Sequence, residues 1–333
     1  MTMRLIAILA GLFLLAGAAR AETPEIRIAA QYGLGYLPMQ VAADRGLIEK
    51  RLKEAGLPET KVSLRQLGGG PVVNDALLSG SIDVGMGGGT VMMTLWDKTL
   101  GRQNVKGIVA FCDSPIYLVT TDPRIKSIRD YGPDDRIAVT GLKVTTQALF
   151  LQMASAKEWG WDQRFRLDPN AVSMPHPEAM AAILSGRHEI KTHAATIPFV
   201  FEELNDPRAR VVLTTYDVLG GGHNLLAAWT TETWKKENPK AYGALAAGLE
   251  DAIDLINRDH RAAAESHLRM EKTRLTIDQA AEIIGRTNDV TFTATPHRMM
   301  DFADFMHRIG LMKNEPASWK DMFFENVHDK AGS

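Results

Sequence analysis

The sequence has almost no cysteine. Cys112 is the only one in 333 residues, so no internal disulfide can form and the fold must hold by burial, which a chain of this length can supply. It also has no excess of basic charge. Lys and Arg number 38 against 40 Asp and Glu, a formal charge of −2. That removes the electrostatic footprint expected of a protein for nucleic acid or for an anionic membrane surface. After residue 21 no apolar run approaches the roughly 18 residues that a spanning helix needs.

The common catalytic and nucleotide-binding patterns are missing as well. The stretch "GMGGGT", Gly85 to Thr90, looks at first like a phosphate loop. A dinucleotide fingerprint counted from Gly85 or from Gly87 would need glycine at position 90 or 92, where Thr90 and Met92 stand. No Lys follows these glycines as a nucleotide-phosphate loop requires. There is no Gly-x-Ser-x-Gly elbow. His188 and His193 are five apart with no carboxylate fixed beside them on a helix, which is not a zinc spacing. A lone Cys112 reads as a small buried hydrophobe. No catalytic group, cofactor or metal is expected, and the chain reads as a binder rather than an enzyme.

What is present begins with export. Met1 to Arg4 is a short basic start, Leu5 to Ala18 is apolar, and Ala19-Arg20-Ala21 fits a small-x-small cleavage site. This reads as a secretory signal peptide, residues 1–21, cleaved after Ala21. Its removal takes away Arg4 and Arg20 and no acid, so the formal charge moves from −2 to −4.

The remainder alternates strands and helices. "EIRIAA", "KVSLRQL" and "SIDVGMG" read as strands, with helical spacing in "PMQVAADRGLIEKRLKEAG" and "VVNDALLSG" between them. That order indicates a parallel α/β sheet. The middle repeats the plan. "DRIAVTG", "NAVSMP" and "HEIKTHA" are expected strands, "TTQALFLQMASAKEWG" and "PEAMAAILSG" are expected helices, and "ARVVLTTYDVLGGG" is an expected extended run. The last third is expected to be helical. Tyr242, Leu245, Ala246, Leu249, Ile253 and Ile256 make one apolar face, and Thr276 with Gln279 forms a capping-box pattern.

Residues Ala76 to Val91 align without gaps on Ala182 to Ile197, with Ala, Leu, Ser, Gly and Thr at matching positions. The match reads either as the likeness that any helix–Gly–strand–helix unit shows or as two similar α/β lobes, each with a strand whose carboxyl end meets a helix start near Thr90 or Thr196. Ligands of open α/β sheets bind outside such ends. Gly87 to Thr90 is then one lip of a cleft and His193 to Thr196 the other. Glycine lets backbone N–H groups approach a ligand closely. Thr90, Thr145 and Thr146 read equally as plain helix caps or as ligand contacts.

The stretches "IRIAAQYGLGYLPMQVAADRGLIEKRLKEAGL", "GGGPVVNDALLSGSIDVGMGG", "HPEAMAAILSGRHEIKTHAATIPF", "YDVLGGGHNL" and "PASWKDMFFENVH", in that order, resemble a known family. It is the periplasmic substrate-binding proteins of ABC importers of the nitrate, taurine and aliphatic-sulfonate type. These share a superfamily with binders of pyrimidine-type thiamine precursors. The resemblance implies an α/β, two-lobed fold of type II topology with two crossover strands, near "YLVTT" and "TTYDVL". One lobe would span 22–120 and 219–333, the other 121–218. It implies a small-molecule ligand in the interlobe cleft, a periplasmic location, a monomer, and an inner-membrane permease as partner. Ligand contacts would fall on Tyr32, Tyr36, Gly69, Gly70, Gly89, Thr90 and Ser114. In the second lobe they would fall on Lys143, Thr145, Thr146, His176 and His193, with Tyr216 and Asp217 at the return hinge. These loops hold no Arg, the natural fork for a sulfonate or carboxylate. A planar heterocycle is therefore an alternative ligand, and a precursor-synthase-like enzyme or delivery to a membrane sensor are alternative roles.

Overall fold

A computed structural model describes residues 22–186 and 189–333. The expected signal peptide lies outside the described residues, as does His188.

Among the described residues ten strands form two five-stranded mixed sheets. The first sheet runs β2-β1-β3-β10-β4: β1 is Glu25–Ala30, β2 Lys61–Gln66, β3 Val84–Gly88, β4 Lys106–Asp113 and β10 Asn224–Thr230. The second runs β7-β6-β8-β5-β9: β5 is Tyr117–Thr120, β6 Arg136–Val139, β7 Ala171–Ser173, β8 Ile190–Ala195 and β9 Arg210–Thr214. β1 is parallel to β2 and β3, as β6 is to β7 and β8. β10 lies antiparallel on β3, as β5 does on β8. The two halves of the internal repeat thus fall on equivalent strands, β3 and β8, of two sheets with the same plan.

The glycine run has a packing role that its sequence did not disclose. In the antiparallel pair, Trp229 of β10 sits opposite Gly85 and Ala227 opposite Gly87. A Cβ on Gly85 would lie 2.7 Å from Trp229 Nε1, and one on Gly87 would lie 3.0 Å from the same ring. Alternate residues share a sheet face. Glycine at 85 and 87 therefore makes the slot in which the fully buried Trp229 lies.

Neither β4 nor β10 is among the expected strands. Both are buried along nearly their whole length, so their sequences are continuously apolar and lack the alternation that marks a half-exposed strand. The expected helix over 38–56 is two helices, Leu37–Asp44 and Leu47–Glu54, separated at Gly46 in the left-handed region. The expected extended run over 209–222 ends early. After β9, Thr214 and Asp217 close a capping box and start a short helix, Thr215–Leu219, that Gly220 ends at φ +77°. β5 already pairs with β8 and β9. The chain therefore passes between sheets at Asp113 to Tyr117 and returns between Thr214 and Asn224.

The helix Pro239–Arg258 buries all six residues of its expected apolar face. It packs on Leu47–Glu54, where Gly248 would place a Cβ 2.8 Å from Ile48. The capping box at Thr276 and Gln279 is present. Among the described residues no helix is long and apolar enough to cross a membrane.

Candidate functional site

The carboxyl ends of β1, β3, β6 and β8 meet between the sheets. After β1 the chain turns through Gln31, Tyr32 and Gly33 into the single turn Leu34–Tyr36. Gly33 has φ +116°, and a Cβ there would stand 2.8 Å from the Ile197 carbonyl oxygen of the second lobe. The absence of that atom lets Leu34 N–H donate to Ile197 O at 3.1 Å. The Gly33 N–H donates to Glu271 Oε1 at 2.8 Å, and Gln40 donates its amide to Glu271 Oε2 at 2.7 Å. Burial pushes Glu271 up to about 7.

The glycine lip closes on the same opposing wall. A Cβ on Gly88 would lie 2.8 Å from Thr146 Oγ1, and one on Gly69 would lie 2.5 Å from the Thr140 carbonyl oxygen. Beside Gly88, Thr90 Oγ1 donates to Val144 O at 2.9 Å and sits 3.1 Å from Thr146 Oγ1. Across the cleft, Thr145 caps the helix Thr146–Trp159, its hydroxyl accepting from Ala148 N–H.

These contacts enclose an inner cavity of about 30 Å³. One ordered water needs roughly 10–15 Å³, so in this closed arrangement only a compact group fits. Four helices, Leu37–Asp44, Gly89–Thr99, Thr146–Trp159 and His176–Ser185, begin at residues of its wall. Three of these starts have no side-chain cap; the Leu37 N–H is taken by Leu34 O and Pro38 and Pro177 have none, so it is chiefly the helix dipoles that favour a negative or acceptor group. Among the described residues no Asp, Glu, Lys or Arg lines this cavity. On its far side Tyr32 also borders an outer chamber of about 590 Å³ between the lobes. There Phe199, Met180 and Met270 supply apolar wall, while Glu202, Lys272 and Arg274 supply charge.

Of the residues expected at the site, Tyr32, Tyr36, Thr145, Thr146 and His176 line the inner cavity. Thr90 holds the two walls together from behind. Gly69 borders a separate surface hollow with Thr140 and Leu142, and Gly70 packs on Val91. The rest lie elsewhere. A Cβ on Gly89 would point at Met299, not at the cleft; Gly88 takes that place. Ser114 is fully buried and donates to Pro115 O at 3.3 Å. Lys143 is exposed at φ +69°. His193 is sealed behind His176, with its Nε2 2.7 Å from His176 Nδ1. Tyr216 packs edge-on against His223, and Asp217 accepts from Thr214 in the capping box.

Other lining residues were not expected: Gln31, Thr140, Gln147, Ile197, Leu225 and Leu226. Gln147 was within reach of sequence reasoning, since it follows Thr145 and Thr146 into the same helix start. Leu225 and Leu226 carried no signal, because a buried strand residue looks the same whether it faces core or ligand.

No family model matches the chain, and no curated protein matches it in sequence. Solved structures do match in shape. The alkanesulfonate-binding protein SsuA from Xanthomonas axonopodis pv. citri, bound to MOPS, superposes with a TM-score of 0.68 at 19% identity, covering 89% of this chain and 96% of its own. The Candida albicans CA3427 gene product, described as showing the generic periplasmic binding protein fold, gives 0.63 at 13%, covering 88% and 92%. This chain has the periplasmic binding protein fold. The periplasmic nitrate-binding protein NrtA from Synechocystis PCC 6803 shares the fold with a TM-score of 0.67 at 14% identity, covering 93% and 86%. In a two-lobed fold of this kind the inner cavity occupies the interlobe cleft, the position in which open α/β sheets take ligands.

Proposed function

We propose that the protein is the solute-binding receptor of an ABC importer. One lobe is built on each sheet. The exported protein captures a small polar organic solute in the periplasm, between the lobes, and presents it to an inner-membrane permease. The observation that carries this reading is the inner cavity, walled by both lobes, at which four helix N-termini begin. Such a wall suits the oxygens of a sulfonate, a nitrate or a taurine-like anion. The sulfonate and nitrate binders that share the fold support that class. The outer chamber would receive the body of a solute whose compact head occupies the inner cavity.

A second reading is a planar, neutral heterocycle of the pyrimidine-precursor type. The lack of any Asp, Glu, Lys or Arg among the described residues of the inner wall favours it. Native mass spectrometry of protein purified without refolding separates the two by the bound mass. Thermal unfolding across a solute panel provides the second test. A true ligand at 100 times its dissociation constant adds about 2.7 kcal/mol. An unchanged unfolding temperature across the panel, with no co-purifying mass, would refute the receptor reading.

A further inference from the structure

A chain of buried polar groups runs from the inner cavity into the second lobe. His176 Nε2 lies at the cavity, 3.1 Å from Thr196 Oγ1 and 3.4 Å from the Gln147 amide. His176 Nδ1 is 2.7 Å from His193 Nε2, and His193 Nδ1 is 2.5 Å from Glu203 Oε1. The side chains of His193 and Glu203 are fully buried. Glu203 Oε2 has no hydrogen-bond partner.

The two inner contacts each need one hydrogen, and the proton count decides which way they point. With two protons on the three groups, a Glu203 carboxylate accepts Nδ1–H of His193. The Nε2 of His193 then accepts Nδ1–H of His176, and a bare lone pair on His176 Nε2 faces the cavity. With three protons every donor turns round. Glu203 O–H donates to His193 Nδ1, His193 Nε2–H donates to His176 Nδ1, and His176 presents Nε2–H to the cavity. Without ligand Thr196 Oγ1 accepts that hydrogen; an acceptor oxygen in the cavity takes it over while the Thr196 hydroxyl turns, and the Gln147 amide can turn either face.

The surroundings favour three protons. The two-proton chain buries a net negative charge with one carboxylate oxygen unpartnered, which is costly. Among the described residues no side-chain cation offsets it, and Glu203, which would carry the charge, ends the helix Phe199–Glu203, where the dipole disfavours an anion. The neighbouring strands place Val119 and Ala138 beside His193. The first loop contributes the phenols of Tyr32 and Tyr36, and the helix Thr146–Trp159 contributes Gln147. The nearest other acid along the chain, Glu202, accepts from Thr273. Among the described residues no Lys or Arg pairs with any of the three. Burial holds the Glu203 acid well above the usual carboxylate range and both imidazoles well below theirs.

We propose that Glu203 and His193 are positioning residues that hold His176 with its Nε2–H aimed into the cavity. The inner site then takes a hydrogen-bond acceptor, an oxyanion or carbonyl oxygen, and rejects an ammonium or amide donor. This rests on the reading of the cavity as the ligand site. It also links binding to a proton. An acceptor ligand stabilises the three-proton chain, so affinity falls by up to tenfold per pH unit once the free chain loses its proton.

Nitrogen-15 correlation spectra of histidine-labelled protein test this directly. At pH 7, His176 and His193 are expected as neutral rings protonated on Nε2. On raising the pH both rings should switch together to the Nδ1–H form. In Glu203→Gln the amide N–H replaces the acid O–H, so the Nε2–H pattern should persist to the highest pH reached. Rings protonated on Nδ1 at pH 7, or a cationic ring there, overturn the proposal. So does a Glu203→Gln spectrum that switches with pH as the wild type does. Methanesulfonate and methylammonium serve as compact probes, of which only the first should perturb His176 Nε2; the reverse also overturns it. The tautomer readout needs no ligand. Failure of the receptor reading, with no solute bound at all, is therefore distinguishable from failure of the positioning pair.

Discussion

The hydroxyls of Thr90 and Thr146 stand 3.1 Å apart, each in the first turn of a helix that belongs to a different lobe. Thr90 also donates to Val144 O, so this one side chain joins the lobes at two points. Thr90→Val keeps the shape and deletes the donor. About 1 kcal/mol of closure should be lost, roughly a fivefold shift toward the open form. Small-angle scattering of the ligand-free protein should record a larger radius of gyration. An identical profile would show that closure does not depend on this contact.

Two adjacent glycines should behave differently. Gly88→Val drives a side chain into Thr146 across the cleft. Overpacking of this kind costs typically 1–3 kcal/mol, so ligand affinity should fall about tenfold or more while unfolding stays cooperative. Gly89→Ala meets the flexible tip of Met299 at 3.1 Å and Asn224 Oδ1 at an ordinary contact distance of 3.5 Å, and should leave affinity within about a factor of two. Calorimetric titration with the solute found by mass spectrometry compares them. Equal losses in both would place the lip at the wrong residue.

Lys143 is the only cation that the sequence puts among the expected contacts, yet it is exposed at φ +69°. Lys143→Ala should therefore leave ligand affinity unchanged to within about a factor of two. Lys143→Gly should raise thermal stability by roughly 0.5–1 kcal/mol, because the left-handed backbone no longer opposes a Cβ. A large loss of affinity in the alanine variant would return Lys143 to the site.

Glu271 makes stability depend on pH. Its folded pKa is raised by burial to about 7, from an ordinary value near 4.5. Between those values the folded form holds a proton that the unfolded form has released. The contribution of Glu271 should therefore fall as pH rises across that window, by about 1 kcal/mol per unit. Glu271→Gln removes this contribution and leaves those of the buried Glu203 and histidines in place. Denaturant midpoints of both proteins at pH 4.5, 5.5 and 7 give the measurement, and a wild-type advantage over the variant that grows with pH would contradict the assignment.

Much of the site's framework was legible because it depends on local pattern. Alternation in "EIRIAA" and the glycine stops after the helices located β1, β3, β6 and β8 and the loops at their ends. The ungapped match of Ala76–Val91 on Ala182–Ile197 placed Thr90 and Thr196 on opposite walls. The short helix Thr215–Leu219 was misread as extended because its start depends on a capping box of two side chains inside an apolar run.

By itself the sequence determined the two α/β lobes, the burial of the apolar face of the helix Pro239–Arg258, and the glycine-bearing loops that allow close approach. These follow from periodicity and from the missing Cβ, both properties of a residue and its near neighbours. Only the tertiary structure decided which atoms face one another across the cleft. It turned Gly89 toward Met299 and Gly88 toward Thr146, left Lys143 in solvent, and lined up Glu203, His193 and His176. The physical reason is that hydrogen bonds and steric contact act over about 3 Å, and residues 10 to 210 positions apart reach that distance only when the sheets and helices are already packed.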